Sequence, residues 1–341
     1  MTLAPPDARP LFSIVIPTYN RPGPLATCLD AIARLDYPRD RFEVLVVDDG
    51  GRASPAAVVD EFRSRIAVAL IRQEHGGPAK ARNTGARRAA GDVLVFIDDD
   101  CLVAPDLLRR LASHHAAAPD VGIGGHTVNA LKHNVYSTAT QQLIDYLYGY
   151  FNTADTGPRF FCANNLALPA EMFRRVGGFD EAMTTGEDRE ICERWRSHGY
   201  GLRYCPDVRI GHAHALTLTS FCRQHFNYGR GSFRFHRAGA GRQGRRVRLE
   251  GGSFYLNLVR HRVPGSRGGR AVALRLLLAL SQLATATGFA CEWARASIRR
   301  RRGEASAAHG APPGPVRPPA RAAAVVESES TSASPRRGED R

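Results

Sequence analysis

Short apolar strands alternate with helical segments over the first hundred residues, and this order limits the possible folds more than any other feature. Four apolar runs cover residues 11–16, 42–47, 68–72 and 93–97, and helical patterns separate them. Strands that are apolar on both faces are typical of parallel sheets covered by helices. We therefore predict an α/β fold whose sheet is mostly parallel and flanked by helices.

Polar residues follow three of these strands directly. The three groups are Thr18-Tyr19-Asn20, Asp48-Asp49 and Asp98-Asp99-Asp100. Ligands in parallel sheets bind beyond the carboxyl ends of the strands, so these groups predict a site at one edge. Adjacent carboxylates repel and raise one another's pKa unless a cation or hydrogen-bond donors compensate. A solvated turn is the alternative explanation of the triple Asp.

The charge of the chain is concentrated in one stretch. The 341 residues carry a formal net charge of +14, and 43% of them are hydrophobic, which is typical of a soluble globular protein. Between Arg223 and Arg270 there are twelve arginines, no lysine and a single acid, Glu250. This stretch predicts an anionic partner, which could be a lipid surface or a nucleic acid.

The stretch after these arginines is strongly apolar. Residues 271–291 have the length of a membrane span, but Arg275, Ser281 and Gln282 interrupt them and arginines flank them. This pattern fits an interfacial helix or a core-packing helix better than a full span. Beyond residue 302 the composition of Ala, Pro, Ser, Glu and Arg predicts a disordered tail.

Six segments of the chain resemble the family 2 glycosyltransferases, whose fold is of the GT-A type, in their order and spacing. They read FSIVIPTYNRPGPLATCLDAI, EVLVVDDG, GGPAKARNTGARRAAGDVLVFIDDD, GGFDE, GEDREICERW and HAHALTLTSFCRQHFNYGRG. The resemblance covers about residues 11–231 and implies an inverting glycosyltransferase. Such an enzyme moves a sugar from a nucleotide-diphosphate donor to a hydroxyl acceptor, here a cell-envelope or lipid-linked glycan.

The resemblance also implies a divalent cation, Mg²⁺ or Mn²⁺, on the diphosphate of the donor. Carboxylate oxygens suit such hard cations. The implied metal ligands are Asp100, Asp98 and His214, with His212 on the same side of the strand. Because D-D-D stands where the family has D-x-D, the register of the metal-binding Asp stays open by one residue.

The remaining site residues follow from the same resemblance. The implied donor-binding residues are Pro17, Thr18, Tyr19, Asp49, Arg82, Asp98 and Asp99. Asp188 matches the general base that takes the proton of the acceptor hydroxyl. An acid that merely favours a helix N-terminus is the alternative for Asp188. The implied acceptor-binding residues are Glu187, Asn164, Asn165 and Trp195.

Two other functions stay open from the residues alone. A metal-dependent nucleotidyltransferase could use the same acids, but it would need a Gly-rich loop after the first strand. A nucleic-acid-binding protein could use the arginines, but few aromatic residues accompany them, and we expect no nucleic-acid partner.

The domain boundaries and the compartment complete the expectations. We expect an arm (1–10), a glycosyltransferase domain (11–231), a basic and apolar helical extension (232–301) that associates with the membrane, and the tail (302–341). Seven widely spaced cysteines without a C-x-x-C pair, and a first ten residues without an export signal, predict a reducing compartment. We expect a cytoplasmic protein, peripheral on the inner face of the plasma membrane and bound to its anionic surface.

Overall fold

The computed structural model describes residues 9–153, 157–243, 250–261 and 266–301, without the side chains of 241–243 and 299–301. The chain divides into a compact unit of residues 1–295 and a second unit of residues 296–341, of which the end of the last helix is described. The predicted tail and most of the predicted arm lie outside the described residues.

Among the described residues, eight strands form a single sheet. They are β1 (Phe12–Thr18), β2 (Phe42–Asp48), β3 (Val68–Arg72), β4 (Val93–Phe96), β5 (Cys101–Val103), β6 (Val121–Asn129), β7 (Leu166–Pro169) and β8 (Gly201–His212). The sheet order is β3-β2-β1-β4-β7-β6-β8-β5. Neighbours within β3-β2-β1-β4 pair in parallel, and so do β6 and β8. Strands β7 and β5 run antiparallel to their neighbours. The predicted mostly parallel sheet and its first four strands are confirmed.

The α-helices of the described residues cover both faces of this sheet and continue beyond it. They are α1 (Pro22–Ile32), α2 (Ala56–Phe62), α3 (Pro78–Arg88), α4 (Leu107–Ala117), α5 (Val135–Phe151), α6 (Ala170–Val176), α7 (Glu187–Ser197), α8 (Leu218–Gln243), α9 (Gly252–Arg260) and α10 (Gly268–Arg301). Alternation along β1 shows why both faces are apolar. Ile14 and Ile16 join the core with α1, while Val15 joins the core with α3 on the other face.

The helices α8 and α10 cross with their backbones in close contact. A Cβ atom on Gly229 would lie 1.9 Å from the carbonyl oxygen of Thr285, and one on Gly288 would lie 1.9 Å from that of Phe226. Only glycine allows this approach, which is a packing mode frequent between membrane helices. Where the two helices cross, the inner face of α10 therefore carries the small residues Ser281, Thr285 and Gly288, while Leu274 and Leu278 are buried nearer its start.

The outer face of α10 is apolar and exposed. Val272, Leu276, Leu283 and Trp293 are each more than half exposed. Of the helices in the part of the chain that the structure describes, one, residues 268–298, is long and apolar enough to cross a membrane. Length and composition alone are weak evidence, because a core helix can pass the same test; here, however, the apolar side chains point outward.

Candidate active site

The polar groups that follow β1 and β4 meet at one edge of the sheet, as the sequence predicted. Thr18 donates a hydrogen bond from Oγ1 to Asp99 Oδ2 at 2.7 Å. Arg21, which precedes α1, forms ion pairs with Asp99 at 2.8 Å and with Asp100 at 2.7 Å. Burial raises the pKa of Asp99 to about 6, although Arg21 and Thr18 act in the opposite direction.

Asp100 lies at the centre of a ring of basic side chains. His212 Nε2 is 3.0 Å from its Oδ1, and His214 Nδ1 is 3.0 Å from its Oδ2. Burial disfavours the charged form, but the two histidines and Arg21 hold the pKa of Asp100 well below its usual range. Asp100 is therefore a carboxylate at any physiological pH.

Arg82 of α3 connects the triple Asp to the start of α7. Its guanidinium donates to Asp98 Oδ1 at 2.6 Å and to Glu187 Oε1 at 2.7 Å. Arg82 and Glu187 are both buried. This bridge fixes the first turn of α7 against the strand-end acids.

Asp188 is the second residue of α7 and lies in the wall of the same cavity. Its Oδ1 accepts a hydrogen bond from the N–H of Arg189 at 2.7 Å. Burial, and then the neighbouring charge of Glu187, raise the pKa of Asp188 to about 7, while Arg189 N–H and Arg82 act against them. A carboxylate with this pKa exchanges protons readily near neutral pH.

The cavity that contains these groups has a volume of about 950 Å³, within the usual range of ligand pockets. Its polar end is the edge of the sheet with Asp98, Asp99 and Asp100. Its other end is walled by side chains of α5, α8 and α9. They include Leu143, Ile144, Leu147, Phe151, Phe235 and Phe254. Asp188 also lines this cavity, so a single cavity contains the strand-end acids, Asp188 and the apolar side chains.

Asp49 lies in the cavity wall but holds the neighbouring loop through both of its oxygens. It accepts hydrogen bonds from Gln73 Nε2 at 2.7 Å and from the backbone N–H groups of Gly76 and Gly77 at 2.9 and 2.8 Å. His75 from the same loop lies beside Tyr19, with ring centroids 4.6 Å apart. The carboxylate thereby fixes the loop that enters α3, in a wall that Pro17, Thr18 and Tyr19 also line.

The structure separates the implied acceptor residues into two groups. Glu187 and Asn164 line the cavity, whereas Asn165 and Trp195 are missing from the described residues that line it. Asn165 is buried and donates to the carbonyl of Val208 at 3.1 Å. In this structure the amide of Asn165 therefore satisfies the backbone of β8 instead of facing the cavity.

Trp195 also lies away from the cavity in this structure. Its ring is completely buried in the core beneath α7, and its Nε1 donates to the carbonyl of Gly201 at 2.9 Å. Trp195 lies on the inner face of an amphipathic helix, and this position explains why its ring packs in the core.

Two site residues were missed from the sequence. Arg21 was not singled out, although its place directly after the polar end of β1 was a signal. Asn83 was missed without such a signal: its amide exchanges hydrogen bonds with the backbone of Phe179, both at 2.8 Å, and binds Glu181. Asn83 thus ties the Gly-Gly-Phe-Asp turn to α3.

Comparison with known proteins agrees with this geometry. Residues 13–177 match the model of the glycosyl transferase family 2. Glycosyltransferase AglE of Haloferax volcanii is 27% identical over 224 residues, 65% of this chain and 73% of AglE. Validoxylamine A glucosyltransferase of Streptomyces hygroscopicus subsp. jinggangensis is 33% identical over 220 residues, 56% of this chain. The chain spans about half of that relative, 52% of its length.

A solved structure supports the fold as well. The mannosyltransferase PcManGT of Pyrobaculum calidifontis superposes with a TM-score of 0.55 at 22% identity, over 87% of this chain and 80% of PcManGT. At this identity the likeness shows a shared GT-A-type fold. Together with the family match over β1 to α6 and the relatives named as glycosyltransferases, this fold leads to one conclusion: residues 13–177 belong to glycosyl transferase family 2, and the chain carries a glycosyltransferase domain.

Proposed function

We propose that the protein moves a sugar from a nucleotide-diphosphate donor to an acceptor hydroxyl with inversion, using Asp188 as general base and a divalent cation at Asp100. The observation that carries this proposal is the single cavity that contains both Asp188 and the Asp100 cluster. PcManGT, whose structure contains GDP-Man and Mn²⁺, supports both the donor class and the cation.

The residues around Asp100 suit a divalent cation. Asp100 Oδ1 is buried and has no well-formed hydrogen bond, even though His212 Nε2 lies 3.0 Å away. An unsatisfied carboxylate oxygen beside imidazole nitrogens is a donor set that Mn²⁺ accepts. Asp100 and His212 or His214 would hold the ion, with Asp98 beside them. When bound, the cation supplies positive charge that stabilises the departing nucleoside diphosphate.

The other residues of the site position the reactants. Pro17, Thr18 and Tyr19 line the cavity beside Asp49 and are assigned to the nucleotide. Arg82 holds Glu187, and therefore the first turn of α7, in place. Asp188 removes the proton from the acceptor hydroxyl as the bond to the anomeric carbon forms, a role that its pKa of about 7 supports.

The first test is a panel of donors. UDP-glucose, UDP-GlcNAc, GDP-mannose and dTDP-glucose are each incubated with the protein and Mn²⁺, with water taking the sugar in place of the acceptor hydroxyl, and release of the nucleoside diphosphate is measured. We expect one nucleotide class to be released, and the release to stop on chelation by EDTA. Release that continues in EDTA would refute the requirement for a divalent cation. The absence of release from any donor would count against the proposed function.

The rate should fall in acid because Asp188 must be ionised. Loss of the charge at residue 187 lowers the pKa of Asp188, since Glu187 is the second largest cause of its rise. In wild type we expect the acidic limb of kcat/KM to have its midpoint near pH 7, and in Glu187→Gln to move to lower pH. A pH profile of both proteins checks this, and an unmoved or upward-shifted limb would contradict it.

We propose the division of the chain that the sequence suggested, with chemistry in residues 11–231 and acceptor and membrane contacts in residues 232–301. The boundary at residue 231 falls inside α8, so the two parts share a helix. Helices α8 and α9 supply cavity-lining side chains, including Phe235 and Phe254. This supports an acceptor from the cell envelope, either a glycan or a lipid-linked sugar.

The membrane part of the proposal rests on α10. Its exposed Leu276 and Leu283 face outward, and Arg267, Arg270 and Arg275 lie exposed near its start. Apolar area together with basic charge provides the two signals that peripheral binding needs. We place the protein on the anionic inner face of the plasma membrane, in the cytoplasm.

Vesicle sedimentation tests this placement. Replacing both Leu276 and Leu283 with Glu removes about 3 kcal/mol or more of apolar transfer, so binding to phosphatidylglycerol vesicles should fall at least tenfold. Wild type should bind phosphatidylcholine vesicles more weakly, and salt should weaken its binding to the anionic ones. A wild-type protein that stays in solution with anionic vesicles at low salt would refute the membrane contact.

A further inference from the structure

Arg189 follows the proposed base directly and extends its side chain into the wall of the cavity. Its guanidinium carbon lies over two phenyl rings, 5.0 Å from the centroid of Phe151 and 4.5 Å from that of Phe235. These rings come from α5 and α8, the helices of the apolar end. Cation–π contact with two rings stabilises the guanidinium at this position in the cavity wall.

No carboxylate neutralises this guanidinium within ion-pair distance among the residues that the structure describes. Other arginines near the site are paired with acids. Arg82 binds two of them, and Arg194 on the same helix as Arg189 binds Glu190. Asp188, Glu193 and Glu250 act on Arg189 only through space, and burial lowers its pKa. A partly buried cation without an anion is costly, so its retention favours a ligand that brings the charge.

The electrostatics of this end of the cavity favour an anion further. Arg159 also stacks on Phe151, at 5.7 Å, so two guanidinium groups share one ring. Contact with ring faces leaves the in-plane N–H donors of a guanidinium available. Their fork matches the two oxygens of a phosphate or a carboxylate.

We propose that Arg189 binds an anionic group, a phosphate or a carboxylate, that the acceptor carries beside the reacting hydroxyl. This inference rests on the proposed function, because it assigns the Arg189 end of the cavity to the acceptor. The hydroxyl lies at Asp188 while the anion is held one residue further along α7. The apolar side chains of α5, such as Leu143 and Leu147, accommodate an apolar part of the same molecule.

The test uses small anions and their neutral counterparts. Octyl phosphate, octyl glucoside and glucose 6-phosphate are titrated calorimetrically into the full chain, with EDTA present so that no metal binds phosphate. We expect octyl phosphate to bind wild type at least tenfold more tightly than octyl glucoside. Arg189→Gln should remove this preference. Arg189→Lys should keep part of it, because Lys keeps the positive charge but lacks the two parallel N–H donors of a guanidinium.

The controls separate the possible outcomes. Arg110→Gln, at an exposed arginine of α4, should bind all three probes as wild type does. Tighter binding of octyl phosphate than of glucose 6-phosphate assigns the anion to a lipid, and the reverse order assigns it to a phosphorylated glycan. An equal affinity of wild type and Arg189→Gln for octyl phosphate would overturn the inference, as would no preference over octyl glucoside.

The anion titrations do not depend on whether the donor site binds a nucleotide. Nucleoside diphosphate binding with Mn²⁺ is measured on the same Arg189→Gln sample, and binding there shows that the variant is folded. If that binding fails in wild type too, the proposed function fails while the anion result still stands. If it succeeds and the anion preference is missing, the Arg189 inference alone is wrong.

Discussion

Asp188→Asn should lose sugar transfer by about a thousandfold in kcat, with little change in the KM of the donor. General-base catalysis contributes about 10²- to 10⁴-fold, and an amide cannot accept the proton. The side chain keeps its size and its hydrogen bond from the N–H of Arg189, so the first turn of α7 should keep its structure. Steady-state kinetics with the donor and acceptor varied in turn measure both effects.

Asp60→Asn is the matched control for this variant. Asp60 is an exposed acid on α2 that pairs with Arg63, the residue directly after this helix, and it is not among the residues that line the cavity. It should keep wild-type rates. If Asp188→Asn also kept more than a tenth of the wild-type kcat, another group would have to be the base, and Asp188 would be reduced to a favourable charge at a helix N-terminus.

Asp100→Asn should lose activity by about a thousandfold and should no longer respond to Mn²⁺. The Asn side chain carries no negative charge. The groups around it would be positive or neutral, and they offer a cation no compensating charge: His212, His214 and Arg21. Electrostatic stabilisation of the leaving group is often the largest catalytic contribution in such sites. A titration of activity against Mn²⁺ concentration shows the effect directly.

Asp207→Asn provides a control of the same chemical kind. Asp207 on β8 also lies between a histidine and an arginine, with His114 Nε2 at 2.9 Å and Arg110 at 3.3 Å, but it does not line the cavity. A shift of stability without loss of the Mn²⁺ response is expected there. A Mn²⁺ response that survives in Asp100→Asn would mean that the ion binds elsewhere.

The parts of the fold that depend on local patterns could be predicted from the sequence. The strands β1 to β4 are apolar on both faces, and the polar residues behind them could lie only at the carboxyl edge of a parallel sheet. The contact of Thr18 with Asp99 joins residues that are 81 positions apart, yet the register of the sheet alone implies it. Strand order beyond β4 left no such local signal.

The differences between expectation and structure concern side chains whose neighbours are set by packing. Trp195 was assigned to a ligand, but it lies on the core side of α7, where a large ring is needed. The sequence could not show that Phe151 and Phe235, which are 84 positions apart, both contact Arg189. Such pairs depend on how α5, α7 and α8 pack, which no single segment determines.

We propose that the triple Asp holds a metal ion on a nucleoside diphosphate. Calorimetric titration of UDP, GDP, dTDP and CMP, with and without Mn²⁺, on wild type and on Asp100→Ala tests it most directly. We expect one nucleotide to bind wild type only with Mn²⁺ and this dependence to vanish in Asp100→Ala. If no nucleotide binds wild type in either condition, or if Asp100→Ala binds it with the same Mn²⁺ dependence, the triple Asp is not the metal site of this protein.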